Sequence, residues 1–156
     1  YAGHDGIYVD TGGNDALQQS YILGEPARGM AEAVGRLAAV RERFQADYRA
    51  MLAAVLARGL PAAVCTIYEA RFPDPVQRRL AAAGLTLFND VITREAFRHG
   101  LGLIDLRLLC DEDTDFANPI EPSVEGGDKI AAAIAALVAE HDPARRRSLV
   151  YARPGG

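Results

Sequence analysis

Two cysteines and three histidines among 156 residues are too few for a disulfide framework or a metal knuckle. Cys65 falls within the apolar run Ala62-Ala63-Val64-Cys65-Thr66-Ile67 and reads as a small buried hydrophobe. Long hydrophobic runs are missing as well: none approaches the ~20 residues that a membrane-crossing helix requires, so no membrane span is expected. Positive charge is in deficit, with a net charge of -4 and a pI near 5.4. The one basic run, Arg145-Arg146-Arg147, reads as a solvated helix end or tail, so no nucleic-acid surface is expected. Methionine is absent from the first position, which Tyr1 holds only a few residues before a strand signal. The natural N-terminus is therefore expected upstream, which leaves a cytoplasmic and a secreted compartment equally open.

What is present is an ordinary globular composition, 49% hydrophobic and 24% charged, at a length that suits one domain with a real core. Gly6 to Val9 reads as a short strand. Apolar positions from Val34 through Val40, Phe44, Tyr48 and Leu52 to Val55 recur at helical spacing. They predict a long helix from Glu25-Pro26 to Arg58, closed by Gly59. Ala62 to Ile67 is a buried strand. A short helix over Val76 to Ala83 and another over Thr86 to Arg98 follow, the second burying Phe88, Val91, Ile92 and Phe97. Leu101 to Leu106 is a third strand, and Leu109 to Pro122 an irregular polar loop. Ser123 caps a last helix over Val124 to Glu140, and Leu149 to Tyr151 is a weak strand signal. Strands alternating with helices predict a parallel α/β sheet with right-handed crossovers. The domain is expected to span residues 1–141, with 142–156 as a C-terminal tail.

Two blocks lie in loops leaving the carboxyl ends of predicted strands, where open α/β sheets bind ligands. The first is Gly12-Gly13-Asn14-Asp15; the second is Asn118-Pro119-Ile120-Glu121-Pro122-Ser123, leading into Val124-Glu125-Gly126-Gly127. With Phe88-Asn89-Asp90-Val91-Ile92 and Leu103-Ile104-Asp105-Leu106, these blocks resemble, in order and spacing, the SGNH/GDSL hydrolases, a family of serine esterases and lipases. The likeness runs from Asp5 to about Val138. It implies a three-layer α/β/α sandwich of flavodoxin-like build, lacking its N-terminal strand or strands in this chain. It also implies ester hydrolysis, a small-molecule ester or acylated carbohydrate as partner, and no cofactor. Asn14 would donate to the oxyanion, a role worth ~10²–10³ in rate, with Gly12, Gly13 and Asp15 shaping the substrate-binding turn. The same four residues are also common turn formers.

The sequence departs from the family where proton transfer is performed. The family's Asp-x-x-His-Pro-Ser block supplies acid and base, and here Asn118 and Glu121 hold those places. No Gly-Asp-Ser nucleophile block occurs; Ser123 is a helix cap, and Ser20 has no adjacent base. The strand–helix order puts His4, His99 and His141 at the opposite end of the sheet. Losing a triad histidine typically costs ~10⁶ in kcat, and a glutamate base would need burial to work near neutrality. An esterase-like scaffold with weakened chemistry and a non-catalytic module that keeps only the binding site are thus both open. The alternation Asp111-Glu112-Asp113-Thr114-Asp115 resembles the start of a calcium loop. Phe116 stands where such a loop needs glycine, and a solvated acidic loop is expected, with no metal. Cys110, beside it, lacks a histidine partner.

Overall fold

Gly6 leads into the first strand of a small parallel sheet. The structure, a computed structural model, describes residues 6–9, 13, 16, 24–145 and 147–152. Among them, β1 (Ile7–Val9), β2 (Ala62–Cys65), β3 (Gly102–Ile104) and β6 (Val150–Tyr151) pair in that order, all parallel. The protein is a mixed α/β chain with more helix than strand. Within 142–156, expected as a tail, Val150 and Tyr151 extend the sheet beside Leu103 and Ile104.

Alternate residues of the central strands feed two cores, because successive side chains of a strand point to opposite faces. Ala62 and Val64 of β2 and Leu103 of β3 pack with Val40, Phe44, Tyr48 and Leu52 of α1 (Met30–Leu56). Phe88, Val91, Ile92 and Ala96 of α2 (Pro75–His99) complete this core. Ala63, Cys65 and Ile104 turn to the other cluster, with Leu106 and Leu109 of α3 (Leu106–Leu109) and Leu137 of α4 (Val124–Glu140). Cys65 is the buried small residue its neighbours suggested.

The strands follow one another in a single direction across the sheet, yet α1 and α2 cover one face and α4 the other. The β3-to-β6 connection therefore has the opposite hand to the first two, against the uniform right-handedness expected. That connection spans α3, a hairpin and α4 before a two-residue strand, and so long a path escapes the steric argument that governs a tight βαβ unit.

Several boundaries differ from expectation. The first helix starts at Met30, not at Glu25-Pro26, with Gly29 at its N-cap. The segment before it is exposed, and the Glu32 carboxylate accepts from the Arg28 amide at 2.9 Å, closing the entry. Val34 is exposed; burial begins in earnest at Val40. The two helices expected over 76–98 are one, capped by the Asp74 side chain with Pro75 in the first turn. A single Gly84 costs only ~1 kcal/mol in a helix, too little to break it. Phe97 points outward, and its predicted inner place goes to Ala96 and to the Glu95 carboxylate. That carboxylate is buried and bound by Arg49 of α1 at 2.8 Å and Arg98 at 2.6 Å. The loop expected over 109–122 holds a one-turn 3₁₀ segment (Asp113–Asp115) and an antiparallel hairpin, β4 (Phe116–Asn118) with β5 (Glu121–Pro122). Ser123 caps α4 as predicted, its hydroxyl accepting from Gly126 N at 3.2 Å.

Candidate functional site

Three connections leave the carboxyl ends of β1, β2 and β3 at one end of the sheet. From β1 the chain enters the Gly-Gly-Asn-Asp block; Gly12, Asn14 and Asp15 lie outside the described residues, and Gly13 is half-buried. Ala16, just beyond, packs on the α1/α2 core.

The exit from β2 is held by side chains that substitute for strand partners. Asn89, buried on α2, accepts from Ile67 N at 2.7 Å and donates to Ile67 O at 2.9 Å. The amide thus completes both backbone hydrogen bonds of a residue the sheet no longer pairs. One residue earlier, the Thr66 hydroxyl donates to Asp105 Oδ1 at 2.9 Å and accepts from Leu106 N at 2.9 Å, which joins the ends of β2 and β3.

Asp105, buried at the end of β3, also takes a two-pronged contact from Arg107, Nε to Oδ1 at 2.8 Å and Nη2 to Oδ2 at 2.6 Å. Its Oδ1 accepts from Arg107 N as the N-cap of α3. Burial by itself would raise the carboxyl pKa. The hydrogen bonds from Arg107 and Thr66 outweigh it and hold Asp105 below the ordinary carboxylate range. Asn89, Thr66, Asp105 and Arg107 were not singled out from the sequence as site residues. A polar residue on the apolar stripe of a helix (Asn89) and an Asp directly after a strand were the signals available.

Asn118 and Glu121 are neighbours, but as turn formers. Asn118 Oδ1 accepts from Ile120 N and Glu121 N, both at 3.0 Å, and its Nδ2 donates to Glu121 Oε2 at 2.5 Å. Asparagine followed by proline is the preferred opening of such a turn. Both side chains are exposed, so Glu121 lacks the burial on which a neutral-pH glutamate base depends. The hairpin is fastened to the loop after β2. Tyr68 donates its hydroxyl to Ile120 O at 2.7 Å, Arg71 N bonds Pro119 O at 2.8 Å, and Phe116 packs edge-on to Tyr68 beneath the Arg71 guanidinium. The loops after β2 and β3 therefore form one continuous surface.

The acidic loop is paired with cations of the neighbouring helices. Asp115 is fully buried against Lys129 Nζ at 2.6 Å, and the same ammonium meets Glu112 at 3.1 Å. Glu112, Asp115 and Glu125 bring one carboxylate oxygen each within 4.8 Å of one another. A lysine ammonium already fills the cationic role at that cluster. Asp113 pairs with Arg78 of α2 at 2.6 Å. Burial, with the Asp115 carboxylate beside it, pushes the Cys110 thiol up to about 11, so it stays protonated and non-nucleophilic at neutral pH.

His99 ends α2, and His141 ends α4 against Gly102, the first residue of β3. Both lie at the amino ends of the strands, as their positions in the sequence implied; His4 is outside the described residues. No family model, curated protein or solved structure matches the chain. No helix among the described residues is long and apolar enough to cross a membrane.

Proposed function

We propose that the chain is an SGNH/GDSL-type module of three-layer α/β/α build. Its ligand, a small ester or acylated carbohydrate, sits beyond the carboxyl ends of β1, β2 and β3. The observation that supports this most is the fastening of the Asn118–Glu121 turn to the loop after β2 through Tyr68 and Arg71. It holds the late block of the family resemblance against the loop that leaves the carboxyl end of β2. Asn14 is the oxyanion-type donor in this reading, with Gly12, Gly13 and Asp15 around it.

Of the two forms of the proposal, the non-catalytic binding module is favoured over the ester hydrolase. Asn118 spends its carbonyl on two backbone amides and its amino group on Glu121. Asn118 is thus occupied as a turn former, and Glu121 is exposed without the burial that a base near neutrality needs. Hydrolysis of 4-nitrophenyl acetate, followed for the wild-type chain and Glu121→Gln beside calorimetric titration with an O-acetylated methyl glycoside, tests both forms. Saturable sugar binding with ester turnover no faster than buffer in both proteins is the expected result. Turnover above buffer that falls in Glu121→Gln would restore the hydrolase, and no binding with no turnover would refute the module.

A further inference from the structure

Arg107 has a place in the fold that helix capping does not explain. A cap needs only the Asp105 carboxylate, which Arg107 N already contacts at 3.2 Å, and α3 is a single turn. Yet the guanidinium is clamped by both oxygens of that buried carboxylate. A guanidinium has five N–H donors. With Nε–H and one Nη2–H given to Asp105, three remain, two on Nη1 and one on Nη2. The side chain is 37% exposed at the junction of the loops after β2 and β3, and the carboxylate fixes the plane of the guanidinium. Glu69, exposed in the loop after β2, lies close enough for its charge to act on the guanidinium.

The charges decide what such an edge can hold. Asp105 already neutralises Arg107, and Glu69 adds a second carboxylate, so the three groups sum to −1. An anionic ligand gains little from a guanidinium that is already paired and is repelled by Glu69. An uncharged ligand rich in hydroxyls and acyl oxygens finds oriented donors on Arg107 and an acceptor on Glu69.

We propose that Arg107, held in place by Asp105, is the specificity-determining residue of this end of the sheet. Its remaining N–H groups donate to oxygens of an acylated sugar while Glu69 accepts from a hydroxyl, so neutral acyl sugars are taken and acidic ones turned away. This rests on the reading of the strand ends as an ester-ligand site.

Calorimetric titration of the wild-type chain with methyl 2-O-acetyl-glucoside and with methyl 2-O-acetyl-glucuronide tests it, the two probes differing by one carboxylate. The glucoside is expected to bind about tenfold or more tighter, and Arg107→Gln to weaken it by a similar factor, the size of a lost charged hydrogen bond. Glu69→Gln should narrow the gap by improving the glucuronide. Arg107→Lys keeps a cation beside Asp105 but loses the fork; it should weaken the glucoside with little change in thermal unfolding, and it carries the test if Arg107→Gln does not fold. Equal binding of the two sugars, or unchanged glucoside binding in the folded variants, overturns the proposal and leaves the ester-ligand reading intact. A wild-type chain that binds neither sugar removes both.

Discussion

Gly126 and Gly127 stand side by side in the first turn of α4 and do different work. A Cβ on Gly126 would lie 2.2 Å from the Asp115 carbonyl oxygen, a backbone atom that cannot step aside. On Gly127 it would meet nothing within 4 Å. Gly126→Ala should therefore cost about 2–3 kcal/mol, whereas Gly127→Ala should be neutral or stabilise by up to ~1 kcal/mol through helix propensity. Chemical denaturation of the two variants checks the pair, and equal effects would refute the close approach. Ser123 was readable as a cap because a hydroxyl before an apolar periodic run has one common use. Asn89 was less readable: from sequence it was one letter in a helical stretch, and its amide clamp on Ile67 exists only once β2 and α2 are packed.

At the scale of elements, the segment between β3 and α4 is where pattern failed. Its acidic residues pair with cations far away in sequence, so hydropathy reads as solvent-facing coil even though Asp115 is fully buried. The pairing that organises it, Asp115 with Lys129, joins residues on different elements at 2.6 Å. Replacing Lys129 by Met leaves a buried carboxylate without its counter-ion and should destabilise the chain by about 3 kcal/mol or more. Adding Asp115→Asn should recover part of the loss, and a double-mutant cycle with no coupling would contradict the ion-pair account. The hairpin had a signal, Asn118-Pro119 at a turn opening, outweighed by the weak strand character of only three and two residues. By contrast, α4 was readable end to end, since a cap, an apolar stripe and the close at His141 all agree.

Across the whole molecule, the alternation of strands and helices gave the mixed α/β class directly, because buried parallel strands and amphipathic helices have distinct periods. The hand of the last crossover was not available from periods at all. Stability should depend on pH through a few groups. Asp105, Asp90 and Asp113 are held below their ordinary value of 3.8, the first by Arg107 and Thr66 against its burial, the others by hydrogen bonds from arginines. Groups lowered in the folded state contribute fully above the unfolded value, and that contribution is lost as pH falls through the folded values. Stability should thus hold from neutrality to about pH 4 and then decline. At the alkaline side the sign reverses. The Cys110 thiol, raised from 9.0 to about 11, stabilises the fold below 9.0 and loses that contribution as pH rises towards 11. Cys110→Ala should flatten the profile just above pH 9, as followed by denaturation across a pH series.

In the proposed function, ligand meets the chain beyond the carboxyl ends of the strands. Backbone-amide NMR of the wild-type chain titrated with methyl 2-O-acetyl-glucoside tests it most directly. Shifts concentrated at Thr66–Arg71, Asp105–Arg107 and Asn118–Glu121 are the predicted result. A map centred on His99, Gly102 and His141, at the other end of the sheet, would contradict it.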